Sequence, residues 1–135
     1  MLVVDSSVWI DFFRGTDTPA KAKLKAVLAD GSTVIIVPDL VLYEVLRGFR
    51  HEREYRSALQ LMRGFTWESA FSPSLAQESA QHYRAMVGLG FTIRSALDVM
   101  IGAFCIERDY TLLHNDRDFS IMHQLRGLRV WSLET

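Results

Sequence analysis

Short apolar runs alternate with longer segments of helical periodicity along this chain of 135 residues. These runs predict strands at 2–4, 33–37, 67–71, 110–114 and 129–133. The run at 33–37 is β-branched almost throughout, which is typical of a buried strand, and the run at 67–71 is the weaker signal. The segments between them predict helices at 8–14, 19–29, 39–49, 52–63, 73–88, 95–108 and 118–125. Because strands and helices alternate, we predict an α/β fold with a mainly parallel sheet, organised as a single domain over residues 1–135.

Two aspartates directly follow predicted strands. Asp5 follows the first strand and Asp116 follows the fourth. In a parallel sheet with right-handed crossovers, all carboxyl ends lie at one edge, where ligands of open α/β sheets bind. Each aspartate also precedes a helix, so helix capping is an equally good interpretation, although Ser6 or Ser7 can cap the first helix as well. The two aspartates meet only if the first and fourth strands are neighbours, which the pattern leaves open.

Asp98 is the only charged residue between Ser95 and Ile106. This helix is apolar on nearly every face, so we predict that it lies in the core and that Asp98 is buried. A buried carboxylate is unfavourable unless it is paired, hydrogen-bonded or bound to a metal ion. The alternative is a capping box, with Ser95 as the cap and Asp98 three residues later.

Glu44 lies in the third predicted helix, away from its apolar stripe. That stripe is formed by Leu42, Val45, Leu46 and Phe49, so helical periodicity predicts that Glu44 faces solvent. Glu44 shares a line along the helix with Val41 and Gly48, and one side of that line can face a cleft. On pattern alone, the solvent-facing interpretation is favoured.

Acidic residues gathered at one edge would favour a hard cation. Mg²⁺ and Mn²⁺ prefer carboxylate oxygen and water, and they relieve the repulsion between neighbouring carboxylates. Such ions can activate water and stabilise the leaving oxygen when a phosphodiester is hydrolysed. The four histidines show neither H-x-x-x-H nor Cys/His spacing, which argues against zinc. No glycine-rich mononucleotide or dinucleotide motif is present.

The overall charge gives no footprint for nucleic acid. The chain has 15 basic and 16 acidic residues and a net charge of -1, so any such contact must come from a local patch. Arginine outnumbers lysine, which suits bidentate phosphate contacts, although a bias towards arginine explains this equally well. Candidate contacts follow Glu44 in the chain or lie near other acids: Arg47, Arg50, His51, Arg53 and Arg56, and Arg14, Arg94 and Arg117. Interleaved Glu52 and Glu54 favour a solvated helix face for the first group.

Cys105 is the single cysteine and lies in an apolar run. An intrachain disulfide is therefore excluded, and we expect a buried, inert thiol. The first residues lack the features of a signal peptide, and no apolar run is long enough to span a membrane. We therefore expect a cytoplasmic protein.

Four segments, in order along the chain, resemble the motifs of the PIN-domain nucleases, and among them the VapC toxins of bacterial toxin–antitoxin pairs. The first is an apolar strand followed by Asp5-Ser6-Ser7, within residues 3–11. The others are residues 43–48 around Glu44, 96–103 around Asp98, and 112–119 around Asp116. Each motif is short, but all four in order, across essentially the whole chain, make a specific resemblance.

The resemblance implies a metal site and a fold. It assigns Asp5, Glu44, Asp98 and Asp116 to a Mg²⁺ site in which Mn²⁺ can substitute. Asp118 matches an extra acid that lies near the metal or caps a helix, and Ser7 matches a hydroxyl that supports Asp5. The implied fold is a three-layer α/β/α sandwich with a five-stranded sheet in the order 3-2-1-4-5. This chain departs from many relatives at His114, where they carry threonine.

The resemblance also implies an activity and partners. The activity is endonucleolytic cleavage of RNA by the toxin of a toxin–antitoxin pair. The expected partners are a VapB-like antitoxin, which wraps the toxin and blocks the site, and a second copy of the chain in a homodimer. Candidate RNA contacts are Arg47, Arg50, Arg94 and Arg117.

Two other functional classes are weighed against this one. The first is a non-catalytic interaction module of the same fold, in which the acids merely cap helices. The second is a phosphoryl-transfer enzyme. A dehalogenase-like phosphatase requires Asp-x-Asp after the first strand, where this chain has Asp5-Ser6-Ser7. A receiver domain requires paired acids at that place and a lysine near the last strand, and neither is present.

Overall fold

The computed structural model describes residues 1–131 and Leu133. In this part of the chain, five strands form one sheet in the order β3-β2-β1-β4-β5, and every neighbouring pair is parallel. The strands are β1 Leu2–Val4, β2 Ile35–Pro38, β3 Thr66–Glu68, β4 Thr111–Leu113 and β5 Arg129–Val130. The predicted parallel sheet and its order 3-2-1-4-5 are confirmed.

Helices connect the strands and form the two outer layers. They are α1 Ser6–Arg14, α2 Pro19–Asp30, α3 Asp39–Leu46, α4 Glu52–Met62, α5 Pro73–Gly88, α6 Ala96–Arg108 and α7 Arg117–Arg126. The first four helices pack with one another, and so do the last three. Right-handed crossovers produce this grouping, because the chain moves outward from β1 in one direction and then returns to the other side. The three-layer α/β/α prediction is confirmed.

The core is centred on the middle strand, β1. Its three residues, Leu2, Val3 and Val4, are at most 1% exposed. Successive side chains of a strand point to opposite faces, so burial of all three shows that helices cover both faces of the sheet. In the described residues, no helix combines the length and apolar character that a membrane span requires.

Aromatic residues of α1 contribute to this core. Trp9 is fully buried, and its ring contacts those of Phe12, Phe13 and Phe65. The aromatic residues that follow Asp5 therefore serve packing within the protein. Cys105 is also fully buried, and burial raises the pKa of its thiol, as expected for an inert cysteine.

Several predicted boundaries differ from the structure. Strand β2 begins at Ile35 instead of residue 33, and β4 is one residue shorter than predicted at each end. Strand β3 covers Thr66–Glu68 instead of 67–71. It ends early because the Ser69 hydroxyl and the Ala70 N–H donate to the Asp39 carboxylate and not to a neighbouring strand. Strand β5 ends at Val130, and part of its predicted extent, Ser132, lies outside the described residues.

The first helix starts earlier than predicted. It begins at Ser6, and its N-cap is Asp5 instead of Ser6 or Ser7. The cap is an aspartate because β1 leads directly into the helix, with no intervening loop. The second helix has Thr18 as its N-cap, followed by Pro19 at the first helical position.

Candidate metal centre

The first and fourth strands are neighbours, which the sequence pattern left open. Val4 pairs with Leu113, and the Asp5 N–H donates to the Leu113 carbonyl oxygen at 2.9 Å. Asp5 therefore leaves β1 at the point where β4 ends. Asp116 follows β4 by three residues and is the N-cap of α7. The two aspartates emerge at the same edge of the sheet.

Five carboxylates meet at this edge in two overlapping groups. Asp5, Glu44 and Asp98 form one group, and Asp98, Asp116 and Asp118 form the other. Within each group, one carboxylate oxygen from each residue lies within 4.8 Å of the others. The structure thus brings together all four predicted acids and the supporting Asp118. Asp98 belongs to both groups and lies at the centre of the arrangement.

Asp5 is 2% exposed, and its two carboxylate oxygens differ in their hydrogen bonding. Oδ2 accepts the Ser7 hydroxyl at 2.6 Å and the Ser7 N–H at 3.3 Å, so Asp5 does cap α1. Oδ1 is buried and has no hydrogen-bond partner among the described residues. Burial, together with the negative charge of Glu44, raises the pKa of Asp5 to about 6, although the Ser7 hydrogen bonds act against this rise. Capping therefore occupies one oxygen and leaves the other available to a cation.

Glu44 corrects a prediction from periodicity. It is partly buried instead of facing solvent, and it accepts the Ser6 hydroxyl at 2.9 Å. Val45 of the predicted stripe is buried, but Leu40 and Val41 are buried as well, so the buried side of α3 is wider than predicted. Since helical residues are about 100° apart, Glu44 lies between Leu40 and Val41 around the helix, on its buried side.

Asp98 is only partly buried, which corrects the prediction of a buried side chain, although α6 itself lies in the core as predicted. The capping box is only half formed. The Ser95 hydroxyl accepts the Asp98 N–H at 3.2 Å, but the Ser95 N–H donates to Asp118 at 3.3 Å. Burial is the largest cause that raises the pKa of Asp98 to about 7, followed by the charges of Asp5 and Asp116 and then of the other two acids.

The two aspartates of the fourth segment differ in burial. Asp116 is exposed and caps α7, accepting the Asp118 N–H at 2.8 Å. Asp118 is 2% exposed, and its Oδ2 accepts the N–H groups of Arg94 and Ser95 at 2.9 and 3.3 Å. Its Oδ1 is buried and has no partner among the described residues. The most buried carboxylates are therefore Asp5 and Asp118, whereas sequence reasoning assigned burial to Asp98.

Three neighbouring polar residues were missed as parts of the site, or left without a role. Ser6 binds Glu44, as described above. The Oδ1 atom of Asn115 lies 3.0 Å from the Ser7 hydroxyl oxygen, and its side-chain N–H donates to Asp11 at 3.3 Å, which links the segment after β4 to α1. His114 accepts the Asp116 N–H through Nδ1 at 3.0 Å, and burial lowers its pKa. A neutral imidazole at this departure from the family pattern therefore helps to hold Asp116.

The predicted RNA-contacting arginines lie on the surface. Arg47, Arg50, Arg94 and Arg117 are all exposed. The Arg47 guanidinium lies over the Tyr43 ring at 5.6 Å from its centroid. Arg117 donates to the Thr92 carbonyl oxygen at 2.9 Å, so part of its hydrogen-bonding capacity is used within the protein.

The donor set suits a hard divalent cation. Both groups consist of carboxylates alone, and neither contains the histidine or cysteine that zinc favours. The unpartnered Oδ1 atoms of Asp5 and Asp118 are buried acceptors that lack a positive partner in the described part of the chain. The raised pKa values of Asp5 and Asp98 have the same origin, because burial and neighbouring negative charge both disfavour ionisation. A bound cation would offset both effects.

The PIN domain family model matches residues 2–124. The chain belongs to the PIN domain family. A single domain over the whole of residues 1–135 stays a prediction. Among curated PIN relatives, VapC ribonuclease Mb1587 of Mycobacterium bovis and Ribonuclease VapC11 of Mycobacterium tuberculosis are each 26% identical to this chain over 98% of both chains.

Solved structures share the PIN architecture. VapBC2 from Rickettsia felis, bound to a DNA fragment from its promoter, has a TM-score of 0.74 at 15% identity, covering 97% of this chain and 98% of the other. FitAcB from Neisseria gonorrhoeae has a TM-score of 0.68 at 16% identity over 98% of both. VapC20 of Mycobacterium tuberculosis, described as a sarcin-ricin loop cleaving toxin, has a TM-score of 0.64 at 18% identity, covering 89% and 93%. These similarities show a common fold.

Proposed function

We propose that this PIN protein is a Mg²⁺-dependent endoribonuclease and the toxin of a VapBC-type pair. The observation that carries the proposal is the meeting of Asp5, Glu44, Asp98 and Asp116 at the carboxyl edge of the sheet. Two curated relatives that span nearly the same length are named ribonucleases, and one structural neighbour is described as a sarcin-ricin loop cleaving toxin. The proposed substrate is accordingly RNA.

The four acids would hold the metal, and nearby hydroxyls would fix their orientation. A bound Mg²⁺ supplies an activated water and stabilises the leaving oxygen of the phosphodiester, and Mn²⁺ is expected to substitute. The Ser7 hydroxyl donates to Oδ2 of Asp5, so Oδ1 is left without that hydrogen bond. Ser6 holds one oxygen of Glu44 in the same way. Such supporting hydrogen bonds orient metal ligands and tune their affinity.

Exposed arginines are the proposed contacts for the RNA backbone. Arg47, Arg50 and Arg94 are free to approach phosphates from the solvent side. Arg117 is retained as a proposed contact, although one of its donors already binds Thr92. Because the net charge of the chain is only -1, its overall field adds little to RNA binding, so these local contacts carry the proposal.

A VapB-like antitoxin is the proposed partner, as the solved VapBC complexes suggest. A groove of about 890 Å³ runs between α1, α3 and α4, and its walls include Ile10, Phe13, Val45, Phe49 and Leu61. An apolar segment of the antitoxin would find complementary surface there, next to the helices that carry Glu44 and follow Asp5. We also propose that the protein forms a homodimer and is located in the cytoplasm.

Substitution of Asp98 tests the proposed activity. Asp98→Asn keeps the shape of the side chain but removes the charge shared by both acidic groups. We expect RNA cleavage with Mg²⁺ to fall by at least ~100-fold, in line with the loss of a metal ligand that also aligns the reaction. Asp109→Asn is the matched control, because Asp109 lies just after the same helix and is exposed in an ion pair with Arg129.

The alternative of a non-catalytic module gives a different result. Mapping of RNA ends with purified wild-type protein should show discrete, Mg²⁺-dependent cleavage sites that are absent with Asp98→Asn. Calorimetric titration should show millimolar or tighter Mg²⁺ binding to the wild type alone. Equal cleavage by both proteins would remove Asp98 from the site. If the wild type binds no Mg²⁺ and cuts no RNA, the interaction module is the better interpretation.

A further inference from the structure

Side chains in the first turn of α7 form hydrogen bonds with the segment that leads into α6. The Arg117 guanidinium donates to the Thr92 carbonyl oxygen at 2.9 Å, and Oδ2 of Asp118 accepts the N–H groups of Arg94 and Ser95. Ser95 is the N-cap of α6, and its hydroxyl accepts the Asp98 N–H at 3.2 Å. A continuous path of hydrogen bonds therefore runs from Asp118 through Ser95 to Asp98.

The position of segment 92–95 depends on these hydrogen bonds from α7. The segment belongs to no helix or strand. Within the described part of the chain, its hydrogen bonds to elements other than α6 all come from the side chains of Arg117 and Asp118. Asp118 is 2% exposed, so its two hydrogen bonds are partly shielded from water. Two adjacent residues of α7 thus fix the start of α6.

We propose that Arg117 and Asp118 form a brace that sets the position of Asp98, so that Asp118 acts as a positioning residue of the metal centre instead of as a metal ligand. The proposal rests on the proposed metal site. Asp98 belongs to both acidic groups, so displacement of the first turn of α6 disturbs both at once. Oδ2 of Asp118 already serves two backbone donors, which ties the carboxylate to the segment it holds. One carboxylate oxygen of Asp118 lies within 4.8 Å of oxygens of Asp98 and Asp116, so a ligand role is the competing outcome.

Two substitutions at Asp118 separate these roles. Asp118→Asn keeps an oxygen that can accept the two N–H groups but removes the negative charge, whereas Asp118→Ala removes both. Hydrogen exchange of the metal-free protein reads the brace directly at the amides of Arg94 and Ser95. We expect exchange at these amides to be ~10-fold faster or more in the alanine variant and within ~3-fold of wild type in the asparagine variant.

Metal titration provides the readout that a purely structural role would not move. With Mn²⁺ as the probe, we expect the alanine variant to bind ~10-fold or more weakly, as for other residues that orient metal ligands. The asparagine variant should recover affinity to within ~3-fold. If it binds as weakly as the alanine variant while Arg94 and Ser95 stay protected, Asp118 is a ligand and the proposal is overturned. Unchanged exchange in Asp118→Ala also overturns it.

Arg117→Ala tests the other half of the brace, and also serves if Asp118→Ala does not fold. A brace predicts faster exchange at Arg94 and Ser95 and a lower kcat with nearly unchanged KM. An RNA contact predicts a higher KM and a weaker salt dependence, with exchange unchanged. Arg84→Ala is the control, because Arg84 is an exposed arginine of α5 that bonds only to Gln81 in the described structure. Exchange and Mn²⁺ binding need no RNA, so failure of the proposed ribonuclease activity is seen separately.

Discussion

Asparagine at position 98 is expected to stabilise the metal-free protein, although it removes the acid shared by both groups of the site. Burial and four neighbouring carboxylates raise the pKa of Asp98 from 3.8 to about 7. A raised pKa means that the folded protein holds this proton more tightly than the unfolded chain does. The contribution of Asp98 to stability is therefore full below about pH 4, falls as pH rises towards 7, and stays low above it.

The size of the effect follows from this rise in pKa. At ~1.4 kcal/mol per pH unit, the ionised Asp98 would cost ~4 kcal/mol of folding free energy at pH 8. Asp98 is only partly buried, and solvent screens the charge of such a group. We therefore expect Asp98→Asn to raise the free energy of unfolding by ~1–3 kcal/mol at pH 8. Near pH 4 the gain should approach zero, because Asp98 is then protonated in the folded protein.

Urea unfolding in EDTA between pH 4 and pH 8 measures this difference. Asp109→Asn is again the control and should show no gain, since it only breaks an exposed ion pair. Mg²⁺ should stabilise the wild type and reduce the advantage of Asp98→Asn. A variant that is no more stable than wild type at pH 8, or whose gain is the same at every pH, would refute the argument that the acids repel one another in the absence of metal.

Two further predictions concern residues around the site and in the core. Ser7→Ala removes the 2.6 Å hydrogen bond to Asp5, so Mn²⁺ affinity should fall ~10-fold and the pKa of Asp5 should rise further. Calorimetric titration of Mn²⁺ over a pH series measures both changes. Unchanged affinity would show that Ser7 does not support Asp5. Trp9→Ala should lower the free energy of unfolding by ~3–5 kcal/mol, because the side chain is fully buried. Urea unfolding checks this value, and a loss below ~1 kcal/mol would contradict the packing role.

Local sequence signals were sufficient where neighbours in the chain determine the structure. Thr18 and Pro19 start α2, and Gly15 and Gly31 follow helix ends with positive φ, as their spacing predicts. The predicted end of a strand was wrong where a side chain remote in the sequence forms hydrogen bonds with it. The early end of β3 depends on Asp39, about thirty residues away in the chain, and no property of residues 67–71 reveals that contact.

The acids of the site show the same division. Asp5 and Asp116 could be predicted because each directly follows a strand, and the carboxyl ends of parallel strands share an edge. Glu44 was assigned to the site only through the family resemblance, because the apolar stripe of α3 placed it on the solvent side and did not reveal that Leu40 and Val41 beside it are also buried. Asp118 has the sequence context of an exposed first-turn residue, yet segment 92–95 covers it.

The sequence by itself determined the α/β alternation, the ends of most helices, and the placement of Asp5 and Asp116 after strands, because these depend on residues within a few positions of one another. The tertiary structure decided which acids are buried, which oxygens stay unpartnered, and how α7 holds the start of α6. Burial and hydrogen bonding at these positions depend on segments that are remote in the chain and adjacent only after folding. The prediction of four acids at one edge thus becomes five carboxylates in two groups, with Asp98 shared between them.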